Sequence, residues 1–75
     1  MSEKLALGVY RHYKGKDYEV IAVARHSETE EELVVYRLMY GDFSYWVRPL
    51  TMFMEHIVID NIEQPRFKLI SARHG

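Results

Sequence analysis

The sequence predicts a small, mainly β protein: a partly open barrel of the SH3-like type, with five or six short strands and one helical turn. Short runs rich in Tyr, Val and Ile follow one another along the chain, and these residue types favour strands. Turn residues separate the runs at intervals of about 8–12 residues, which is typical of small sandwiches and barrels. Several runs also alternate apolar and polar residues, as half-buried strands do.

The first two strands are predicted to form a hairpin. GVYRHY is a short strand, and KGKD is the turn, in which Gly15 can take a positive φ. YEVIAVARH is a longer strand with period-two alternation. That alternation gives a predicted inner face with small residues, which consists of Tyr18, Val20, Ala22, Ala24 and His26.

Residues 31–40, EELVVYRLMY, fit two structures. Their Glu and Leu content suits a helix, which makes an α+β sheet with residues 33–40 helical the runner-up fold, whereas their Val and Tyr content favours a strand. Alternation puts Val34, Tyr36 and Leu38 on the inward face and Arg37 on the outward face. We therefore predict a strand here.

The second half of the chain continues with short elements. GDFS is predicted to close a second hairpin, and YWVRP is a strand that ends at Pro49, because proline has no N–H. PLTMFM is predicted to form one helical turn, with Leu50 and Phe53 at i and i+3. EHIVI and RFKLI are predicted to be closing strands, separated by a turn in DNIEQP.

The four large apolar residues Met39, Met52, Phe53 and Met54 are interpreted as core. A methionine at the rim of a small domain can also serve adaptable binding.

Composition limits the classes of protein. The 75 residues allow one domain, 1–75, with a core over about residues 8–70, and this size does not favour a deep catalytic cavity. Without cysteine, packing or self-association must stabilise the fold. The sequence has no secretory or membrane-spanning segment, so we expect a cytoplasmic protein that does not bind membranes. A net charge of -1 makes binding to nucleic acid unfavourable.

One compact aromatic and cationic patch is the predicted binding face. Trp46 and Arg48 share one face of a short strand, and Arg37 is expected to face the same way on the neighbouring strand, beside Tyr36. An arginine beside a tryptophan can recognise a planar or anionic ligand. The structural alternative is that Trp46 packs under the barrel while Arg48 pairs with a glutamate, for which the candidates are Glu31, Glu32 and Glu55.

The HSETE segment has the residue types of a hydrolase triad, but a triad needs groups that the fold brings together. We therefore interpret it as a polar turn in which hydroxyls bond to backbone N–H groups while His26 seals the barrel end. The alternative is a small enzyme, or an accessory domain of one, that uses His26, Glu28 and Arg48.

No cofactor or metal is predicted. The four histidines lack the short spacings of common zinc sites, and the chain has no cysteine. His12 and His26 could still meet across the first hairpin. Basic and aromatic residues interleave in YRHYKGKDY, but Lys14 and Lys16 flank a hairpin tip, where lysines keep an edge soluble.

Four segments are similar to the DUF1653 family of small bacterial proteins: KGKDYEV, VARHSETEEELVVYRLMYGD, WVRPLTMFMEHI and RF. The resemblance covers about residues 8 to 67. It departs after Ile57, where VIDNIEQP has no glycine although similar proteins often have one. The resemblance implies a compact bacterial β domain and no particular activity, since the family is uncharacterised.

Two hypotheses about function follow from the residues. The favoured one is a non-enzymatic binding or interaction module for a small ligand, a peptide or a protein partner, with the patch residues as its contacts. The other is the small enzyme described above. The sequence leaves the oligomeric state open.

Overall fold

The chain folds into one curved antiparallel sheet with a short helix and a separate hairpin. The computed structural model describes residues 5–73. Within them the elements are β1 (Gly8–His12), β2 (Asp17–Arg25), β3 (Glu32–Leu38), β4 (Tyr45–Pro49), α1 (Leu50–Phe53), β5 (His56–Ile59), β6 (Ile62–Pro65) and β7 (Phe67–Ala72). The mainly β class with one helical turn is confirmed. The helical alternative for residues 33–40 is wrong, since β3 occupies most of them.

The main sheet has the strand order β4-β3-β2-β1-β7. Four strands follow one another as hairpins, and the chain then returns through α1 and the β5–β6 hairpin so that β7 pairs with β1. The sheet curls so far that the guanidinium carbon of Arg48, on one edge strand, lies 5.5 Å from the ring centre of Phe67, on the other. The sheet is therefore a partly open barrel, as predicted.

The β5–β6 hairpin adds a strand that the sequence reading missed. Residues 62–65 were predicted as part of a turn, but they pair with β5, and only Asp60 and Asn61 form the turn. Both have a positive φ, 52° and 65°, which matches the right-handed twist of a two-residue hairpin turn. Asp and Asn tolerate this conformation better than most residues do, so the missing glycine is not needed. The described residues thus contain seven strands.

A bulge changes the predicted face of β2. Val20 lies opposite Tyr36, but Ala22 lies opposite Val35, so the register shifts by one residue at Ile21. Beyond this point Val23 packs against the core. The predicted inward positions Ala22 and Ala24 are consequently wrong, because one extra residue turns every later side chain to the other face.

The core lies between the concave side of the sheet and α1. Its buried members are Leu5, Tyr10, Val20, Val34, Tyr36, Leu50, Phe53 and Phe67. Val34 and Tyr36 are inward and Leu38 is packed against them, which confirms the predicted phase of β3. No helix among the described residues is long and apolar enough to span a membrane.

The interpretation of the methionines as core is wrong. Met39, Met52 and Met54 are exposed, and only Phe53 is buried. For Met52 and Met54 the reason is the length of α1, whereas Met39 directly follows the end of β3. One helical turn offers two positions to the core, i and i+3, and Leu50 and Phe53 occupy them.

Candidate functional site

Trp46 and Arg48 lie on the concave face of the sheet. The β3–β4 register sets Trp46 opposite Tyr36 and Arg48 opposite Val34. Residues directly opposite each other in an antiparallel pair share a face, and both partners on β3 are buried core residues. The two side chains therefore project from the edge strand over the mouth of the barrel.

The indole of Trp46 is positioned by a hydrogen bond. Its Nε1 donates to Ser44 Oγ at 2.8 Å, and 55% of the residue is exposed. A single bond holds the polar edge of the ring while the apolar face stays accessible. The alternative in which Trp46 packs under the barrel is therefore wrong.

Arg48 differs from three other arginines of the chain in having no ion-pair partner among the described residues. Its guanidinium lies over the Phe67 ring, and among residues 5–73 no carboxylate oxygen lies within ion-pair distance of it. Three other arginines have such partners: Arg11 pairs with Asp17, Arg37 with Glu19 and Arg66 with Glu55. The alternative pairing of Arg48 with Glu55 is thus wrong, because Glu55 bonds to Arg66 at 2.9 Å.

Two tyrosine hydroxyls lie on the same side of the sheet. Tyr18 and Tyr40 share a hydrogen bond of 3.0 Å between their hydroxyl oxygens, and the Tyr18 ring meets Phe67 edge-on at 5.6 Å. Burial, followed by the hydrogen bond to Tyr40, raises the pKa of Tyr18 to about 12, although the nearby charge of Arg48 acts against the shift. Tyr18 is therefore a neutral hydrogen-bonding group over the ordinary pH range.

His12 adds an imidazole to this cluster. Its ring meets Phe67 edge-on at 4.9 Å, and its Nδ1 accepts the backbone N–H of Lys14 at 3.1 Å. The pKa of His12 is lowered, first by burial and then by the positive charges of Arg66, Lys14 and Arg48. A neutral His12 with Nδ1 as acceptor carries its proton on Nε2. The positive charges of Arg66, Lys14 and Arg48 therefore all lie near the aromatic cluster that contains His12.

Arg37 does not belong to this face, contrary to the prediction. It lies opposite Tyr45 on β4 and next to Tyr36 along β3, so it projects from the convex side. There it forms an ion pair with Glu19 at 3.3 Å, and its guanidinium lies 5.8 Å from the Phe43 ring centre. Neighbours on a strand point to opposite faces, and Tyr36 and Arg37 could not both line one site.

His26 and Glu28 belong to the turn that joins β2 to β3. His26 Nδ1 accepts the backbone N–H groups of Glu28 at 3.0 Å and Thr29 at 3.3 Å. The N–H of His26 donates to Glu31 O, and Thr29 Oγ1 accepts the N–H of Glu31 at 3.2 Å. This is the polar turn that the sequence predicts, with the imidazole as an acceptor for backbone groups.

The structure does not gather the residues of the enzyme alternative. Arg48 on β4 lies opposite Val34 on β3, which in turn lies opposite Val23 on β2. His26 is three residues further along the chain than Val23, and β3 lies between β2 and β4. Within the described part of the chain, no hydrogen bond or ion pair joins His26 or Glu28 to Arg48.

The two histidines that could have met across the first hairpin are far apart. His12 ends β1 beside the β1–β2 turn, whereas His26 follows the opposite end of β2. The idea that they meet is wrong, because β2 is nine residues long and spans about 30 Å. No group of three or more metal-ligating side chains is found in the described range 5–73.

The sequence reading missed the contribution of His12, Tyr18, Tyr40 and Phe67. All four lie at or next to an end of a predicted strand, but no repeating pattern in the sequence marks them as a group. Their meeting with Arg48 depends on the pairing of β7 with β1, which no local pattern reveals.

The fold and the face together define a small, partly open β-barrel domain with a cationic and aromatic mouth. A family described as "Protein of unknown function (DUF1653)" matches residues 8–69, so the chain belongs to the DUF1653 family. A solved structure, the crystal structure of a DUF1653 protein from Bordetella bronchiseptica, is 34% identical with a TM-score of 0.83. The alignment covers 96% of this chain and 95% of that chain. No curated protein matches the chain.

Proposed function

We propose that the chain is a non-enzymatic binding module that holds an anionic group of a ligand or partner at Arg48, with Trp46 as the neighbouring contact. The observation that carries the proposal is the environment of Arg48: the residue is half-buried, its guanidinium lies over the Phe67 ring, and no carboxylate oxygen of residues 5–73 lies within ion-pair distance of it. We call Trp46, Arg48 and Phe67 the binding face.

Arg48 is suited to anion binding for two physical reasons. The position of the guanidinium over the Phe67 ring, 5.5 Å from the ring centre, restricts its motion before a ligand arrives, which reduces the entropy lost on binding. The guanidinium also presents several N–H donors in one plane, and a carboxylate or phosphate can accept two of them at once. Charge-assisted bonds of this kind contribute about 1.5–3 kcal/mol each.

Trp46 supplies the apolar part of the contact. Two residues apart on one face of a strand, the Cα atoms of Trp46 and Arg48 are separated by about 6.6 Å. A planar or apolar group can therefore lie on the indole while its anion meets the guanidinium. Exposed tryptophan and arginine side chains are also the residue types that dominate binding hot spots.

The other predicted contacts have different roles in this proposal. Tyr36 lies opposite Trp46 on β3 and is buried in the core, so it supports the sheet beside the face and is not itself a ligand contact. Arg37 is excluded because it lies on the convex side. His26 and Glu28 belong to the β2–β3 turn. Because Nδ1 of His26 already accepts two backbone N–H groups, this nitrogen is not available to accept a proton from a substrate.

The experiment is an NMR titration of the chain with inorganic phosphate, nucleotides, oligonucleotides and acidic peptides. We expect shifts centred on Trp46, Arg48 and Phe67 for at least one probe. Arg48→Lys should then weaken binding by about 1–3 kcal/mol, since lysine keeps the charge but loses the planar fork. Arg11→Lys is the matched control, because Arg11 is exposed and paired with Asp17, and it should leave the affinity unchanged.

The opposite result is also well defined. If Arg48→Lys lowers the melting temperature while no probe shifts the resonances around Trp46, the role of Arg48 is structural and the proposal is wrong. An oligonucleotide that binds elsewhere, with the same affinity for the wild type and Arg48→Lys, would also contradict it.

A further inference from the structure

The edge strand β4 exposes an uninterrupted apolar segment. Tyr45, Trp46 and Val47 are 66%, 55% and 58% exposed, and they are consecutive. The other edge of the sheet, β7, carries Lys68 and a register shift beside Ile70, two features that hinder the addition of another strand. The exposed segment of β4, residues 45–47, has neither a charged residue nor a register shift.

The hydrogen-bond pattern shows which backbone groups of β4 are open. Leu38 N donates to Ser44 O at 3.0 Å, and hydrogen-bonded positions then recur at every second residue of an antiparallel pair. Trp46 and Arg48 consequently direct their backbone groups to β3. Tyr45 and Val47 direct their N–H and C=O groups away from the sheet, toward the open edge.

We propose that β4 pairs antiparallel with β4 of a second copy of this chain, in a register centred on Trp46. Tyr45 of each copy then lies opposite Val47 of the other. Both residues offer an N–H and a C=O, so the two symmetric pairs make four backbone hydrogen bonds. The two sheets join into one sheet across a two-fold axis.

Only this antiparallel register pairs every N–H and C=O group of Tyr45 and Val47. A pairing centred on Val47 sets Tyr45 opposite Pro49, which has no N–H to meet the Tyr45 carbonyl. A pairing centred on Tyr45 requires Phe43 to be extended, but Phe43 has a φ of 56° and its N–H donates to Tyr40 O. The flanking turn and the proline thus select Trp46 as the centre.

The side chains and charges favour a second copy as the occupant. Residues 43–47 carry no charge, so the pairing brings no like charges opposite each other, and Arg48 meets Ser44 of the other copy. The convex face gains two Tyr–Val pairs, a combination that stabilises neighbouring strands.

A shallow depression of about 310 Å³, lined by Val35, Tyr45, Trp46 and Val47, lies beside the incoming Tyr45 of the second copy. The net charge of -1 gives little long-range repulsion between copies.

The inference goes beyond the proposed function and shares one residue with it. It depends on the outward backbone of β4 and on convex side chains, and the guanidinium of Arg48 stays over Phe67. Trp46 is the shared residue, because the two indoles meet at the two-fold axis. The paired segment is short compared with standard interfaces. We therefore expect a weak dimer whose population depends on concentration.

Sedimentation equilibrium of the full chain over a wide concentration range is the first test, and we expect reversible dimerisation that is detectable by millimolar concentration. Tyr45→Glu combined with Val47→Glu should abolish it, because glutamates then face each other at both pairs. Tyr45→Lys combined with Val47→Glu should restore it, because each lysine then faces a glutamate of the other copy. Ile70→Glu, on the opposite edge, is the control and should change nothing.

A second measurement needs no variant. Amide hydrogen exchange should slow with increasing concentration at Tyr45 and Val47, while the amides of Trp46 and Arg48 are protected at every concentration. A chain that stays monomeric at millimolar concentration overturns the proposal, as does a dimer that persists with both glutamates. Dimerisation that the lysine and glutamate pair fails to restore, in a variant with an intact NMR spectrum, rejects the register. The anion titration is run at a constant, low protein concentration and is read at Arg48 and Phe67, which lie outside the paired segment 45–47, so the two proposals can fail separately.

Discussion

Phe53 and Phe67 stack face to face, with ring centres 4.1 Å apart and ring planes within 4° of each other. Phe53 is the inner residue of α1, and Phe67 begins β7, so this contact holds the helical turn against the returning strand. The guanidinium of Arg48 lies over the same Phe67 ring. One aromatic pair therefore links the core to the binding face.

The first prediction concerns this pair. Phe53→Ala should lower the free energy of unfolding by about 3–5 kcal/mol, because it removes a fully buried ring and leaves a cavity. Met52→Ala is the neighbouring control on the exposed side of α1 and should cost less than about 1 kcal/mol. Urea unfolding of both variants checks this, and equal losses would contradict the packing of α1.

The second prediction concerns Gly8. It has a φ of 142°, and a Cβ there would lie 2.2 Å from the carbonyl oxygen of Ser71 on β7. Gly8→Ala should therefore strain the backbone and push β7 away from β1, at a cost of about 3 kcal/mol or more. Gly15 also has a positive φ, 103°, but no atom lies within 4 Å of its added Cβ, so Gly15→Ala should cost only conformational strain. Thermal melts should rank Gly8→Ala as the more damaging change, and the reverse order would refute the close approach.

The third prediction concerns His26. His26→Ala removes the acceptor of two backbone N–H groups in the β2–β3 turn and should lower the free energy of unfolding by about 1–2 kcal/mol. His26→Asn keeps a side-chain acceptor of similar reach and should lose clearly less. Denaturant unfolding distinguishes the two. A demonstrable turnover that His26→Ala abolishes without loss of stability would support the enzyme alternative instead.

The fourth prediction concerns the alkaline titration of Tyr18. Its pKa is raised to about 12 from 10.0, so the folded state holds this proton more tightly than the unfolded state does. The resulting stabilisation is fully present below about pH 10 and is lost as the pH rises through about 12. Tyr40→Phe should lower the pKa of Tyr18, because it removes the hydroxyl partner at 3.0 Å.

Ultraviolet titration of tyrosinate in the wild type and Tyr40→Phe measures this shift, and unfolding at several alkaline pH values measures its effect on stability. Tyr13→Phe is the control, since Tyr13 is exposed. An unchanged titration of Tyr18 in Tyr40→Phe would show that burial alone sets its pKa.

Local patterns were enough to predict much of the fold. Val34 and Tyr36 are inward and Arg37 is outward because alternation along a strand is a property of the backbone itself. The turn at Gly15, the end of β4 at Pro49 and the single turn of α1 likewise follow from the dihedral preferences of a few residues. The similarity to the DUF1653 family rests on the same local segments.

The candidate site was predictable only in part. Trp46 and Arg48 share one face because they are two residues apart on a strand, and this spacing can be read from the sequence. The face to which they belong, and the exclusion of Arg37 from it, required the β3–β4 register.

The sequence by itself determined the residue types, the alternation and the turns of this protein, since these depend on neighbours along the chain. Only the tertiary structure decided the bulge at Ile21, the exposure of the methionines and the place of Arg48 over Phe67. A one-residue shift depends on which positions of β3 form the better contacts with β2. The contact of Arg48 with Phe67 joins the two edge strands of the main sheet, and it exists because the sheet curls until the end of β4 reaches the start of β7, a result of packing the core around Phe53.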